Sequence, residues 1–175
     1  MKLFLVGYMG CGKSTTARRV ARRLEVSCVD TDAMVEQMEG ACVNDIFHYE
    51  GEEYFRSAER KVLERLIADE EDMIISTGGG LPTWGDNMEL MNQCGVTVWI
   101  DRSAEQTVKR LSPHGRQKRP KLRGLSDEEI VEFMQRNMAE RKIHYSKATH
   151  HIEVDHLNDY ELSDLITDIF RNGKQ

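Results

Sequence analysis

Gly7-Tyr-Met-Gly-Cys-Gly-Lys-Ser14 is the stretch that decides the fold, because it matches the phosphate-binding loop pattern G-x-x-x-x-G-K-[S/T]. The apolar run before it, Leu3–Val6, predicts a buried strand, and the apolar spacing after it predicts an amphipathic helix up to Leu24. A loop placed between a strand and a helix N-terminus presents free N–H groups and the positive end of the helix dipole to an anion. We therefore expect a nucleotide-phosphate site. Its candidate residues are Gly10, Cys11, Gly12, Lys13, Ser14 and Thr15.

Charged and hydroxyl side chains near this loop suit phosphoryl transfer. Lys13 should reach the β- and γ-phosphates, and the Ser14 hydroxyl should coordinate Mg²⁺. Asp30-Thr31-Asp32 ends the second predicted strand, at the edge where open parallel sheets bind ligands. One of these carboxylates could hold Mg²⁺ through its water shell, and the other could accept a hydroxyl proton from an acceptor substrate. Asp32 could equally serve only as the N-cap of the next helix.

Composition limits the class of protein. The 175 residues are 39% apolar and 31% charged, as in an ordinary soluble domain, and the net charge of -6 argues against a nucleic-acid-binding surface. The four cysteines have neither C-x-x-C nor zinc-site spacing, which indicates a reducing cytoplasm. We see no signal peptide and no run near the ~18 apolar residues of a membrane span. We expect one domain over residues 1–175, without nucleic-acid or membrane partners.

Strand and helix patterns alternate along the chain, which predicts an α/β fold with a parallel sheet covered on both faces. After Leu3–Val6, the predicted strands are 27–30, 73–76, 96–100 and, more weakly, 149–154. The predicted helices that follow the first are 33–39, 43–50, 52–68, 86–94, 103–111, 126–145 and a last one through 162–169. Capping boxes at Ser103/Gln106 and Ser126/Glu129 mark two of the helix starts.

Residues 112–124 break this alternation and predict a mobile lid. The segment has two prolines, two glycines and, with His114, six basic residues, and it has almost no apolar side chains. A cationic lid closing over ATP would neutralise transition-state charge and exclude the water that causes hydrolysis. A solvated basic loop is the alternative interpretation. The cations concerned are Arg116, Lys118, Arg119, Lys121 and Arg123.

Two arginines share helical faces with apolar residues. Arg56 and Glu59 lie one turn apart on or beside an apolar stripe, and Arg141 has apolar neighbours on its own face. A charge near a core needs a partner or a ligand, and arginine can bind a carboxylate through two bonds. The alternatives are a surface pair for Arg56 and Glu59 and a snorkelling side chain for Arg141. Gly78-Gly79-Gly80 could bring backbone N–H groups to a ligand, or act only as a hinge. Together with the phosphate loop, the two arginines favour an anionic second substrate.

Taken together, these residues resemble the shikimate kinase family, from the phosphate loop to about Asp155. The motifs that carry the resemblance are Gly-x-x-Gly-x-Gly-Lys-Ser at 7–14, Asp30-Thr31-Asp32, Ile46-Phe47, Gly51-Glu52, Phe55-Arg56 with Glu59, Ser76 before Gly78-Gly79-Gly80, Arg119-Pro120, and Arg141 with Tyr145 and Ala148. The resemblance implies a P-loop fold like that of nucleoside monophosphate kinases, with a five-stranded parallel sheet. It also implies transfer of the ATP γ-phosphoryl group to the 3-hydroxyl of shikimate, giving 3-phosphoshikimate and ADP, in aromatic amino-acid (chorismate) biosynthesis.

The resemblance further implies a role for each site residue. Asp32 would bind the acceptor hydroxyl as base or orienting group, and Arg56 and Arg141 would bind the shikimate carboxylate. Glu59 would steady Arg56, the backbone N–H groups of Gly78, Gly79 and Gly80 would donate to the substrate, and Phe47 and Phe55 would line the space for its ring. On the nucleotide side, Arg119 would reach the phosphates from the lid and Arg110 would lie against adenine. Ser14 and Asp30 would hold Mg²⁺. The substrate-binding segment would be about 33–60, and the protein would be a monomer.

Two features depart from the family pattern. The basic loop before Arg119 is slightly longer than usual, so Arg116 could share or replace the role of Arg119. The loop Asp155–Asp159 lacks the proline that relatives often pack on adenine, which leaves Arg110 to stack by itself. The residues alone also leave open a gluconate or nucleotide kinase on the same fold, and a nucleotide-dependent switch that has no acceptor.

Overall fold

A five-stranded parallel sheet lies at the centre of the structure, a computed structural model that describes residues 1–117 and 119–173. The strands are β1 Lys2–Val6, β2 Ser27–Asp30, β3 Met73–Ser76, β4 Val96–Asp101 and β5 His150–Glu153. Their order is β2-β3-β1-β4-β5, and every neighbouring pair is parallel. The α/β class and the parallel sheet predicted from the alternation of patterns are therefore confirmed.

Helices connect the strands and cover the sheet. They are α1 Lys13–Leu24, α2 Thr31–Glu39, α3 Val43–Tyr49, α4 Gly51–Ala68, α5 Asn87–Cys94, α6 Ala104–Arg110, α7 Pro113–Gln117, α8 Asp127–Tyr145 and α9 Asp159–Asn172. None of these helices is both long and apolar enough to cross a membrane, within the part of the chain that the structure describes.

Alternate side chains of the central strand build two apolar layers. Leu3 and Leu5 of β1 pack with α1 and α9 on one face, and Phe4 and Val6 pack with α4, α5 and α8 on the other. All residues of β1 and β3 are buried, which explains the continuous apolar runs Leu3–Val6 and Met73–Ile75 within them. The edge strand β5 is mostly exposed, and its sequence signal was correspondingly weak.

Side-chain caps mark the starts of α6, α8 and α9. The full capping box predicted at Ser126 and Glu129 opens α8, whereas at α6 only the bond from the Gln106 amide to Ser103 Oγ is present, at 3.2 Å. A further box, formed by Asn158 and Glu161, starts α9 before the first of its apolar residues. This box is a recognisable signal that the apolar spacing alone did not capture.

The segment 112–124 is more regular than its sequence predicts. It contains α7 and a 3₁₀ turn at Pro120–Leu122, and the side chain of Leu122 is buried in the core. Ser112 Oγ accepts a hydrogen bond from the Gly115 amide at 3.0 Å and so holds the first turn of α7. Lys118, one of the predicted lid cations, lies outside the described residues. Closure of the segment over a nucleotide stays a prediction.

The carboxyl ends of three neighbouring strands meet at one edge of the sheet. β1 runs into the loop at Gly7, β2 ends at Asp30, and β3 ends at Ser76, which pairs with both β1 and β2. Both the amide and the hydroxyl of Thr77 donate to Leu5 O, at 3.1 and 2.9 Å. These bonds fix the start of the Gly78–Gly80 run beside the phosphate loop.

Candidate active site

The phosphate loop closes around its own lysine. Gly7, Gly10 and Gly12 have φ values of 141°, 80° and 112°, which side chains with a Cβ rarely adopt. Lys13 is buried, and its ammonium donates hydrogen bonds to Gly7 O at 2.8 Å and Tyr8 O at 2.9 Å. The cation therefore lies inside the loop that the motif assigns to phosphate. Its contact with the β- and γ-phosphates stays a prediction.

The next residue of the motif contacts the second strand. Ser14 Oγ donates to Asp30 Oδ2 at 2.8 Å and lies 3.0 Å from Ser76 Oγ. Asp30 also caps α2, because its Oδ1 accepts from the amides of Asp32 and Ala33 at 3.2 and 3.5 Å. The N-cap is thus Asp30, and the interpretation of Asp32 as the cap is wrong. α2 begins two residues earlier than predicted for this reason.

Ser14 and Asp30 suit a magnesium ion. Mg²⁺ prefers hard oxygen ligands and usually takes one or two carboxylates, completing its shell with water and substrate phosphates. A serine hydroxyl within 2.8 Å of a carboxylate matches that donor set. Within residues 1–117 and 119–173 there is no group of three or more His, Cys, Asp or Glu side chains that could hold a metal ion. Water and substrate phosphates would therefore have to supply the remaining ligands.

Asp32 lies in the first turn of α2 and faces the glycine run. A Cβ placed on Gly78 would overlap the carboxylates of both Asp32 and Glu59. Burial, more than any other cause, raises the pKa of Asp32 to about 6, and the negative charge of Asp30 adds to the shift. A carboxylate in such a position can accept a proton from a hydroxyl near neutral pH.

Arg56 and Glu59 of α4 form a buried ion pair, so the surface-pair interpretation is wrong. Arg56 Nη1 donates to Glu59 Oε2 at 2.5 Å, and the two side chains are 12% and 1% exposed. A Cβ on Gly80 would overlap the Arg56 guanidinium. Phe47 and Phe55 stand beside this cation, with their ring centroids 5.8 and 5.5 Å from Arg56 Cζ and 4.6 Å from each other.

Arg141, on α8, also lies against the Gly78–Gly80 run. Its Nη1 lies 3.3 Å from the position that a Cβ on Gly79 would take, and its Cζ lies 5.3 Å from the centroid of the Tyr8 ring. Tyr145, one turn further along α8, donates its hydroxyl to Gly79 O at 2.5 Å. Arg141 therefore lies against the glycine run beside the phosphate loop, which disfavours a snorkelling role.

The three glycines of the 78–80 run differ in the hydrogen bonding of their backbone amides. The Gly78 amide donates to Thr31 Oγ1 at 2.8 Å, so its predicted role as an N–H donor to substrate is already filled. Among the described residues, the amides of Gly79 and Gly80 have no hydrogen-bond partner. Gly78 instead leaves room for the carboxylates of Asp32 and Glu59, and the free donors belong to Gly79 and Gly80.

The cations predicted to hold the nucleotide base and the lid are engaged elsewhere. Arg110 binds Asp159 at 2.8 Å, and Arg116 binds Asp127 at 2.5 Å. Arg119 Nη1 donates to Gly115 O, within its own segment, at 2.5 Å. The hydrogen bonds of these three side chains are to other protein groups and not to the phosphate loop, and their contacts with ATP stay predictions.

Sequence reasoning missed one buried cation at the loop. Arg102 is 4% exposed, and its Nε donates to Cys11 O at 3.1 Å. The available signal was an arginine placed directly after the strand β4, at the edge of the sheet that carries the site. Arg102 stabilises the phosphate loop from the side of β4.

Comparisons with known proteins agree with this geometry. The family model described as shikimate kinase matches residues 9–170. The chain is 40% identical to the shikimate kinase of Phocaeicola vulgatus over 158 residues, which covers 90% of this chain and 89% of the relative.

Solved structures show the same fold over the whole chain. The shikimate kinase of Bacteroides thetaiotaomicron superposes with a TM-score of 0.89 at 32% identity, covering 100% of this chain and 99% of that one. The shikimate kinase of Acinetobacter baumannii, solved in complex with shikimate, gives 0.84 at 30% identity, with 99% and 94% covered. These matches confirm the resemblance read from the motifs, and the chain belongs to the shikimate kinase family.

Proposed function

We propose that this chain transfers the γ-phosphoryl group of ATP to the 3-hydroxyl of shikimate, giving 3-phosphoshikimate and ADP. The observation that carries the proposal is the meeting of Arg56, Arg141 and the free amides of Gly79 and Gly80 around the Asp32 carboxylate, beside a phosphate loop. Membership of the shikimate kinase family supports the same reaction, as does the related enzyme solved with shikimate.

The acceptor is held through its carboxylate. Two guanidinium groups, and two amides without a partner in the described part of the chain, give strong donors for one organic acid. Guanidinium–carboxylate pairs can form two parallel bonds that fix orientation. Phe47 and Phe55, whose rings are tilted by 37° against each other, supply an apolar wall for a six-membered ring next to Arg56. A small hydroxy acid bound in this way is positioned as well as retained.

Positioning then does most of the chemistry. Asp32 accepts a hydrogen bond from the 3-hydroxyl and takes its proton, or orients it, as the oxygen attacks the γ-phosphorus and the bond to ADP breaks. Lys13 leaves the loop carbonyls for the β- and γ-phosphate oxygens and stabilises the charge that develops on them. Arg119, with Arg116, closes over the phosphates and keeps water out.

A magnesium ion belongs to this proposal. Ser14 and Asp30 would hold it, since their oxygens lie together at the end of the loop. When bound, Mg²⁺ neutralises charge on the β- and γ-phosphates of ATP. We also infer a single kinase domain that works as a cytoplasmic monomer; its free Cys11, Cys28, Cys42 and Cys94 thiols suit a reducing compartment.

A coupled assay of ADP release tests the function. The purified chain, with ATP and Mg²⁺, is offered shikimate, gluconate or a nucleoside monophosphate in parallel. We expect ADP release to rise strongly with shikimate and to stay near the background hydrolysis rate with the others. A larger response to gluconate or to a nucleotide would reject shikimate as the acceptor, and no response to any of them would reject the acceptor-kinase assignment.

Replacing Arg56 with alanine should raise the KM for shikimate about 10- to 100-fold, because hydrogen bonds between charged groups contribute about 1.5–3 kcal/mol. The KM for ATP should change little. Initial-rate kinetics in both substrates measures this, with Arg60→Ala as the matched control, since Arg60 lies on the same helix but binds Glu64 and Asp86. An equal loss for both substrates would show that the fold was damaged and would count against a role at the acceptor.

A further inference from the structure

Glu59 uses only one of its two carboxylate oxygens. Its Oε2 accepts from Arg56 Nη1 at 2.5 Å, whereas its Oε1 is buried and has no hydrogen-bond partner among the described residues. The side chain is 1% exposed, so water does not solvate the bare oxygen. An ionised carboxylate with one buried, unsatisfied oxygen is costly, because half of its charge is left without a donor.

The bare oxygen faces a second carboxylate. Oε1 of Glu59 lies 2.6 Å from the position that a Cβ on Gly78 would occupy, and that position also overlaps Asp32 Oδ1. The charged groups facing Glu59 are Arg56 on its own helix α4, Asp32 on α2 and Arg141 on α8. Without substrate, two cations and two carboxyl groups therefore share this space.

A bound organic acid adds a third negative charge to these two cations and two carboxyl groups. When its carboxylate joins Arg56 and Arg141, three anions would face two cations in a site largely closed to water, unless one carboxyl group becomes neutral. Glu59 is suited to do so: a proton on Oε1 makes an O–H group that can donate toward Asp32, while Oε2 still accepts from Arg56.

We propose that Glu59 takes up a proton from solvent when shikimate binds and is a neutral carboxylic acid in the substrate complex. The inference rests on the proposed function. It makes Glu59 a positioning residue that holds Arg56 with one oxygen and presents a donor to Asp32 with the other. The only covalent change is the new O–H bond on Oε1, and the buffer supplies the proton.

The raised pKa of Glu59 supports the proposed proton uptake. Burial, against the opposing effect of Arg56, raises the pKa of Glu59 to about 7. A further anion at the two arginines raises the pKa again. Glu59 is already protonated well below pH 7, so binding is tightest there; binding weakens as pH rises above about 7, where the proton must be taken up together with shikimate.

Isothermal titration of the wild-type chain with shikimate tests the inference. At pH 8, titrations in HEPES and in Tris give the number of protons exchanged, since the two buffers differ in ionisation enthalpy. We expect an uptake of roughly half a proton or more per shikimate, and a Kd that weakens about tenfold between pH 6.5 and 8.5. Shikimate itself contributes no proton there, because carboxylic acids ionise near pH 4.

Two matched variants assign the proton. Glu59→Gln keeps an acceptor for Arg56 and a donor toward Asp32, so we expect near-normal Kd at pH 6.5, no proton uptake and no weakening up to pH 8.5. Glu52→Gln removes the other partner of Arg56, which lies 3.2 Å away but is 69% exposed, and should keep the full uptake. Uptake that persists in Glu59→Gln, or binding lost equally at every pH, would overturn the inference.

The wild-type titration also separates this inference from the proposed function. Shikimate binding without proton uptake at pH 8 rejects the role of Glu59 and leaves the kinase assignment standing. A wild-type chain that binds no shikimate rejects the assignment and the inference together. Absence of uptake in the wild type is decisive even if Glu59→Gln fails to fold, and a thermal melt of the variant shows whether it does.

Discussion

Replacing Asp32 with asparagine should lower kcat for shikimate phosphorylation by roughly 10²–10⁴, the usual contribution of a positioned general base. Asparagine has nearly the same shape and still accepts a hydrogen bond, but it cannot take the hydroxyl proton. Initial rates of ADP release at saturating ATP and shikimate measure the loss. The KM for ATP should stay close to that of the wild type.

The structure separates this loss from a loss of folding. Asp30, and not Asp32, caps α2, so Asp32→Asn removes no helix cap. A partly buried carboxylate with a pKa raised to about 6 is itself unfavourable, and its neutralisation should leave the Tm unchanged or slightly higher. Asp45→Asn, on the exposed surface of α3, serves as the control. Turnover of Asp32→Asn near the wild-type value would show that Asp32 is neither base nor orienting group.

The features that sequence predicted well depend on local patterns. The phosphate loop is specified by neighbouring residues, since glycines with positive φ and a lysine at fixed spacing are needed for its turn. Strands β1 and β3 were predictable because both of their faces are buried, which favours the unbroken apolar runs Leu3–Val6 and Met73–Ile75.

The features that sequence left open depend on contacts between distant segments. The spacing of Arg56 and Glu59 is equally typical of a surface pair, and burial is decided by the packing of α4 against α2 and against the 3₁₀ turn at Leu81–Thr83. The Gly78 amide has a neighbour in Thr31, 47 residues away, which no local pattern contains. The family resemblance, and not the spacing, predicted that Glu59 steadies Arg56, and it predicted no contact between Thr31 and Gly78.

The positions of the cationic side chains near the lid illustrate the same limit. Arg110 binds Asp159 at 2.8 Å, across 49 residues of sequence. The basic composition of residues 112–124 predicts attraction to phosphate but carries no information about which protein groups these cations contact. A helix as short as α7 also has too few residues to show a periodic pattern.

Replacing Lys13 with alanine should reduce kcat by about 10²–10³, judged from the removal of single preorganised donors at other transition states. The buried ammonium, which donates to Gly7 O and Tyr8 O, is the cation held inside the loop. Without it, charge developing on the transferred phosphoryl group lacks its nearest donor, and the loop carbonyls lose theirs. The KM for shikimate should change far less than kcat.

Two measurements distinguish lost chemistry from a collapsed loop in Lys13→Ala. Shikimate affinity, measured by titration without nucleotide, should fall far less than turnover, because Arg56 is held by Glu59 and the Gly79 carbonyl by Tyr145, and neither bond involves Lys13. ADP affinity should fall, because the β-phosphate loses a cation. Lys61→Ala, an exposed lysine on α4, controls for the loss of one positive charge and should behave as wild type. A variant that keeps its turnover would show that the loop binds phosphate through backbone N–H groups alone.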